Sequence, residues 1–395
     1  MKTKRLWILG ALIMVTIVSC ATRSNTGEFE QSPQYMEGKF HNPKQFKMMD
    51  ISTTFRTAKR YLFEKRQDVT PELEVPMISL DASTLQNQSS DELAIYRLGH
   101  SSILVDQGGK FWLIDPVFSE RASPVSWAGP KRFHPTPISL ERLPTIEGVI
   151  ISHDHYDHLD HDSIQALKDK TSYFVTPLGV GERLKNWGVA ASKIHQLDWW
   201  QSVRLNGVEL TATPAQHFSG RSIGDSNRTL WASWVIKSPG GSIYFSGDSG
   251  YFDGFKEIGE RLGPFDLTLI ENGAYDQNWS NVHMQPEQSL QAHQDLKGRA
   301  MMPVHNGTFD LALHPWHEPF ERIRKLAASA DVNLLTPIIG ERVRIKSPAS
   351  HQAWWQGLNP STDPSNSANI ETQTDYSTQA QRPGNTVAEA KTVDI

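Results

Sequence analysis

Cysteine is almost absent from this chain: Cys20 is the only one in 395 residues. A disulfide within the chain is excluded, and a metal site, if there is one, cannot rest on a cluster of thiolates. An excess of positive charge is missing too. Lys and Arg number 39 against 44 Asp and Glu, a net charge of −5, so there is no basic footprint for a phosphate backbone and no nucleic-acid partner is expected. The prominent apolar run, Leu6 to Val18, is too short for a comfortable membrane span. No repeat at solenoid or propeller period is visible. What remains, 38% hydrophobic and 21% charged residues, is ordinary globular material, long enough for one large domain with extensions.

Lys2, Lys4 and Arg5 precede the apolar run, which gives the n-region and h-region of a secretory signal. The run ends in Ile17-Val18-Ser19-Cys20, which resembles the bacterial lipobox, whose cysteine is lipidated and becomes the new N-terminus. Residues 1–19 are therefore read as a lipoprotein signal peptide and Cys20 as the lipidation site. A plain N-terminal anchor with an incidental cysteine is the alternative. Either reading places the body outside the cytoplasm, lipid-anchored in the cell envelope. Ala21 rather than Asp follows the cysteine, which by analogy with lipoprotein sorting favours the outer membrane, facing the periplasm, in a Gram-negative host.

Residues 20–90 read as a polar, Pro-punctuated linker with a helical extension from Phe46 to Arg66. Phe55, Tyr61, Leu62 and Phe63 stand there among basic residues, a face that suits a lipid surface or the main domain equally. From 91 to 350 the pattern changes to short β-branched and aromatic runs separated by Gly, Pro, Asn and Asp. Strands are expected at 93–98, 102–106, 111–114, 148–152, 173–175, 208–213, 233–237, 242–246, 267–270 and 300–303. Helices are expected at 163–168, 178–187, 252–261, 286–296 and 316–329. Such a mixture suggests packed sheets with helices outside, an α+β fold. Residues 351–395 turn rich in Ser, Thr, Asn, Gln and Pro, and are expected to form a disordered tail, above all from Asn359 on.

The segment Gly148-Val149-Ile150-Ile151-Ser152-His153-Asp154-His155-Tyr156-Asp157-His158-Leu159-Asp160 runs an apolar strand into three histidines and several acids. Imidazole and carboxylate suit zinc, and alternating positions let His153 and His155 address one ion while Asp157 and His158 address a second. Further ligands should follow other strands at the same end of the sheets. His217, Asp248 and His305 each stand just after a strand-like run. A lone histidine after a strand is more often a surface or core residue than a ligand, but the tight cluster at 153–158 raises the odds for all three. Asp154 and Tyr156 should alternate away from the ions. Asp115, after the run 111–114, can be read as a carboxylate that orients a ligand histidine from behind, or as a loop-capping Asp before Pro116.

This order, an HxHxDH cluster followed by a His, an Asp and a His, resembles the metallo-β-lactamase superfamily. Within it the chain is similar to the N-acylphosphatidylethanolamine-hydrolysing phospholipase D family and its bacterial lipoprotein relatives. Segments that carry the likeness include Leu98-Gly99-His100-Ser101-Ser102, Asp115-Pro116-Val117-Phe118-Ser119, Gly129-Pro130-Lys131-Arg132-Phe133, Leu197-Asp198-Trp199-Trp200, Gly247-Asp248-Ser249-Gly250-Tyr251 and His305-Asn306-Gly307-Thr308-Phe309. The match runs from about Gly38 to Arg344. It implies an αββα sandwich, two Zn2+ ions, and hydrolysis of N-acylphosphatidylethanolamine to N-acylethanolamine and phosphatidate.

The resemblance also implies roles. His153, His155 and His217 would hold the first ion and Asp157, His158 and His305 the second, with Asp248 shared. Asp157 and Asp248 thereby join the catalytic set, and His283 would donate the proton that the leaving alkoxide needs; a packing role at a helix start is its alternative. The chain departs from the family at Glu271 and Asn272, where the family is apolar, and at Asn306, where it has Trp. Those positions flank the expected metal centre and bear on substrate shape and polarity. Two other readings stand beside the phospholipid one: a lactonase or phosphodiesterase of the same fold acting on a soluble substrate, and a non-catalytic envelope lipoprotein stabilised by metal. Trp199, Trp200, Trp231 and Trp234 suit a lipid-facing wall or, more commonly, strand packing.

Overall fold

The computed structural model describes residues 29–44, 56–87 except 58 and 62, 92–222 and 224–360. The expected signal peptide, the Cys20 lipidation site, most of the piece from Phe46 to Arg66 and the tail beyond 360 lie outside the described residues.

A short hairpin, β1 (Tyr35–Met36) and β2 (Lys39–Phe40), and a helix, α1 (Ala82–Asn87), precede the main body. The first sheet is built from β3 (Ala94–Gly99), β4 (Ser102–Gln107), β5 (Lys110–Ile114), β6 (Ile146–Ile150), β7 (Thr171–Pro177) and β8 (Ile194–Leu197). The second holds β9 (Ser202–Leu205), β10 (Val208–Thr213), β11 (Ser233–Ser238), β12 (Gly241–Phe245), β13 (Phe265–Glu271), β14 (Gly298–Val304) and β15 (Asn333–Leu334). The chain then returns, and β16 (Arg342–Arg344) pairs with β3 at the outer edge of the first sheet.

Both sheets start as antiparallel meanders and finish as parallel ladders. In the first the change falls between β4·β5 and β5·β6, and in the second between β11·β12 and β12·β13. Parallel neighbours need crossovers, and helices supply most of them. Helices α2 (His161–Leu167) and α3 (Val180–Asn186) serve the first sheet, and α4 (Gly254–Arg261) and α5 (Pro286–Asp295) the second, with α6 (Glu318–Ser329) leading into β15.

Alternation along each strand decides which side it faces. Trp112, Ile114, Ile150 and Val175 of the first sheet meet Leu210, Trp234, Phe245, Leu269 and Met302 of the second in one buried cluster between the sheets. Their neighbours Phe111, Leu113, Val149 and Phe174 pack outward against Ile164, Leu167 and Leu184 of α2 and α3. Tyr244, Ile270 and Met301 do the same against Phe255, Ile258, Leu296 and Ile323. This four-layer packing is the αββα sandwich that the sequence led us to expect.

The interior strands fall where expected, and the elements the sequence reading passed over are short or lie at sheet edges. Strands β8 and β9 close one edge of each sheet and carry His and Gln at half-exposed and Ser and Arg at exposed positions, so they lack the apolar alternation that marks a strand. Two boundaries also differ. Trp354, Trp355 and Leu358 are buried with Val75, Trp316, Phe320 and Ile339, so the packed body runs past 350, at least to Leu358. The N-terminal extension is more than a linker, because Phe29 and Phe40 enter the core between the sheets. Trp199, Trp231 and Trp234 are buried, each donating its indole N–H to a backbone carbonyl, and form no lipid-facing wall. No helix among the described residues is long and apolar enough to cross a membrane.

Candidate metal centre

The loops that follow β6, β10, β12 and β14 meet at one end of the sandwich, joined there by the β3–β4 turn. They bring His153, His155, Asp157, His158, His217, Asp248 and His305 together. Two sets form, His153, His155, His217 and Asp248 in one and His100, Asp157, His158 and His305 in the other, each with its candidate ligand atoms within 4.8 Å of one another. The turn into Asp248 needs Gly247 at φ 56°, where a Cβ would stand 2.9 Å from that of Ser152.

Hydrogen bonds fix the tautomers in the first set. His153 Nδ1–H donates to Ser152 Oγ at 2.9 Å, and Ser152 Oγ donates in turn to Asp115 Oδ2 at 2.5 Å. His217 Nδ1–H donates to the Val282 carbonyl at 3.0 Å. Both residues therefore present a bare Nε2, and these stand 2.9 and 3.3 Å from His155 Nδ1. Three ring nitrogens converge with few protons between them, an arrangement that a cation satisfies. The longer spacing matches the edge, about 3.3 Å, of a tetrahedron with Zn–N bonds of about 2.0–2.1 Å, and the shorter is tighter than that edge.

In the second set His158 Nδ1–H donates to Asp115 Oδ2 at 2.7 Å, which turns His158 Nε2 toward Asp248 Oδ1. The two atoms lie 3.1 Å apart, yet each is buried without a hydrogen-bond partner. Unpaired buried polar atoms are rare. Here they aim at a common point. His305 Nε2 lies 3.1 Å from both Asp157 Oδ2 and Asp248 Oδ2, and His100 Nε2 lies 3.1 Å from Asp157 Oδ2. Asp248 thus faces both sets, with Oδ2 3.7 and 3.8 Å from His153 and His217 and Oδ1 toward His158. The donor set fits metal ions at both positions.

In the metal-free site the charges divide between the two sets. Burial, reinforced by neighbouring histidines, holds His153 and His217 well below the usual imidazole range, so they are neutral, the form that binds metal. Burial also disfavours charge on His158 and His305, but the carboxylates of Asp248 and Asp157 outweigh it. His158 is pushed well up and His305 to about 10. Asp157 and Asp248 are held well below the usual carboxylate range against burial, by His158 above all.

Asp115 sits behind the ligands, accepting from the Ser152 backbone N–H, the Ser152 hydroxyl and His158. His283 lies beside the centre, its Nδ1 2.6 Å from Glu271 Oε1. Asp154 and Tyr156 point away. Asp154 binds Arg183 at 2.7 Å and accepts from the Gly220 N–H at 2.8 Å, and Tyr156 donates to the Arg221 carbonyl. Sequence reasoning left out His100, whose signal was the segment from Leu98 to Ser102, and assigned Glu271 no partner. It also missed Asn42, whose side chain brackets the His217 backbone at 2.7 and 3.1 Å across 175 residues, with no local pattern to announce it.

Residues 112–306, a span containing His153, His155, Asp157, His158, His217, Asp248 and His305 but not His100, match the description Beta-lactamase superfamily domain. A possible metal-dependent hydrolase from Veillonella parvula shares the fold at a TM-score of 0.52 and 15% identity, covering 64% of this chain and 99% of its own. The chain belongs to the metallo-β-lactamase superfamily and is a metal-dependent hydrolase. N-acyl-phosphatidylethanolamine-hydrolyzing phospholipase D 1 of Caenorhabditis elegans is 35% identical over 285 residues, 68% of this chain and 79% of that one, which places the chain in the phospholipase D branch. Uncharacterized protein Rv0906 of Mycobacterium tuberculosis is 41% identical over 332 residues, 83% of this chain and 88% of its own.

Proposed function

We propose that the protein is a two-zinc phosphodiesterase of phospholipase D type that hydrolyses N-acylphosphatidylethanolamine to N-acylethanolamine and phosphatidate. The observation that carries this reading is Asp248, whose Oδ1 faces His158 and whose Oδ2 lies between His305 of one ligand set and His153 and His217 of the other. A carboxylate so placed suits a pair of ions. His153, His155 and His217 would hold one ion and Asp157, His158 and His305 the other. When bound, the pair supplies Lewis-acid polarisation of a phosphoryl oxygen and lowers the pKa of water.

The chain's own residues do the rest. Asp115 and Ser152 lock the rings of His153 and His158, so that the ligand nitrogens stand ready before substrate arrives. His283, beside Asp248 and His305, gives a proton to the departing alkoxide. A membrane-held substrate accords with the lipobox at Cys20 and with the exposed aromatic rings of Phe63 and Trp127, 78% and 71% accessible. Outer membrane protein RomA of Klebsiella pneumoniae, 52% identical over 94 residues, or 24% of this chain and 70% of its own, carries an envelope location in its name.

The test is lipid hydrolysis by the body from Ala21 onward, presented with N-acylphosphatidylethanolamine in detergent, with and without chelator, and read by mass spectrometry. Chelator-sensitive release of N-acylethanolamine and phosphatidate, lost in Asp248→Ala, is the expected result. Intact lipid with metal-loaded protein overturns the substrate assignment and turns attention to soluble phosphodiesters and lactones.

A further inference from the structure

Glu271 is a buried acid at the end of β13, and its side chain is wholly shielded from water. A carboxylate in that position is costly unless its oxygens are met. Both are. Oε1 accepts from His283 Nδ1–H at 2.6 Å, and Oε2 accepts from the backbone N–H of Ser249, the residue after Asp248. Its backbone is held as well, its N–H donating to Ser246 Oγ at 2.9 Å and its carbonyl accepting from Ser289 Oγ at 2.7 Å. One carboxylate therefore ties the loop carrying Asp248 to the segment carrying His283.

We propose that Glu271 is a positioning residue that binds His283 Nδ1–H, supports the doubly protonated ring as a cation, and turns its Nε2–H toward the reacting centre. One nitrogen of His283 lies within 4.8 Å of candidate ligand atoms on Asp248 and His305, and the ring packs 5.2 and 5.5 Å from those of His217 and His305. Nδ1 is taken by Glu271, and 15% of the side chain reaches solvent, so Nε2 is the atom that can meet a substrate. The departures at Asn272 and Asn306 do a different job. Asn272 donates to the Pro319 carbonyl at 3.0 Å, and Asn306 binds Arg97 at 2.8 Å, both turned into the protein. Of the three departures, only Glu271 acts on the centre.

The role rests on the hydrolase reading, with a specific step. As the oxygen of water bonds to phosphorus, the bond from phosphorus to the leaving alkoxide breaks. That oxygen takes the proton from His283 Nε2, and the proton lost by water restores it. An aryloxide leaves without a proton, so the Glu271–His283 pair matters for alkyl esters and little for aryl ones.

Native protein, Glu271→Gln, Glu271→Leu, His283→Ala and the Glu271→Gln/His283→Ala double variant are assayed on matched alkyl and 4-nitrophenyl substrates, in both phosphodiester and carboxylic-ester series. Metal content is read in parallel. Whichever series the native protein hydrolyses tests the phosphodiester reading, and selectivity within that series tests the pair. Expected are native metal content, unchanged KM, and a fall in kcat on the alkyl substrate of about 10²- to 10⁴-fold for His283→Ala and about 10- to 100-fold for Glu271→Gln. The aryl substrate should change by less than about threefold, and Glu271→Gln should cost nothing further once His283 is gone. Glu271→Leu leaves no unpaired carboxamide in the core and carries the comparison if Glu271→Gln fails to fold. Equal losses on alkyl and aryl substrates, or additive losses in the double variant, would overturn the proposal.

Discussion

His100, Asp115 and His305 hold φ angles of 53°, 40° and 63°, a backbone region that side chains other than glycine seldom occupy. Each such residue costs roughly 1–3 kcal/mol and persists where the surroundings over-determine it. All three lie at the metal centre. Asp115 has the clearest task, since one carboxylate serves Ser152 and His158 and, through Ser152, His153. Asp115→Asn is expected to fold but to bind metal about 10- to 100-fold more weakly, as loss of a carboxylate behind a ligand histidine commonly does. Competition titration with a chromophoric chelator checks this. Undiminished affinity would show that the carboxylate merely caps its loop.

At the scale of elements, the loop from Ser152 to Asp160 is held from outside by α3. Arg183 pairs with the wholly buried Asp154 at 2.7 Å and with Asp225 at 2.8 Å. Arg221 donates to the carbonyls of Asp154 and Leu159 and lies 3.8 Å over the Tyr156 ring. Arg183→Ala leaves Asp154 without its cation, and breaking a buried pair in this way costs about 3 kcal/mol or more. Urea denaturation should report that loss, together with weaker metal binding because the loop carries four candidate ligands.

The interior strands and the HxHxDH loop were legible in the sequence because both are local: apolar runs of strand length, and four candidate ligands within six positions. Asp248, His217 and His305 were legible as residues that follow strands. Arg183, Arg221 and Asn42 were not, because each acts on a partner far along the chain and no short-range pattern records it, and Glu271 was legible as a position beside the centre but not in its partners. Edge strands β8 and β9 escaped for a different reason, since half-exposed strands carry polar residues on both faces.

For the whole molecule, the two sheets share one construction, meander first and parallel ladder after, and their loops meet at one end of the sandwich. Metal bound there links both halves, so it should stabilise the entire fold. Chelation is expected to lower Tm and added zinc to restore it, by about 2.7 kcal/mol when free metal is a hundredfold above its Kd.

The pH dependence of the chelated protein follows from the same residues. His305, raised to about 10, and His158, raised well above 6.5, contribute stability that is fully present below about 6.5 and is lost as pH rises toward 10. Asp157 and Asp248, held well below 3.8, contribute stability that is present above about 4 and lost on further acidification. Chelated protein should therefore melt higher at pH 6 than at pH 9. Metal affinity should run the other way, rising over that interval as protons leave the ligands. Calorimetry at the two pH values, with and without metal, checks both signs.

The most direct measurement is metal per chain by inductively coupled plasma mass spectrometry, on native protein, Asp248→Ala and His217→Ala after zinc loading and desalting. A shared carboxylate between two ligand sets predicts about two ions in the native chain, about one in His217→Ala, and depletion of both positions in Asp248→Ala. A single ion in the native chain, or full occupancy without Asp248, would contradict the account.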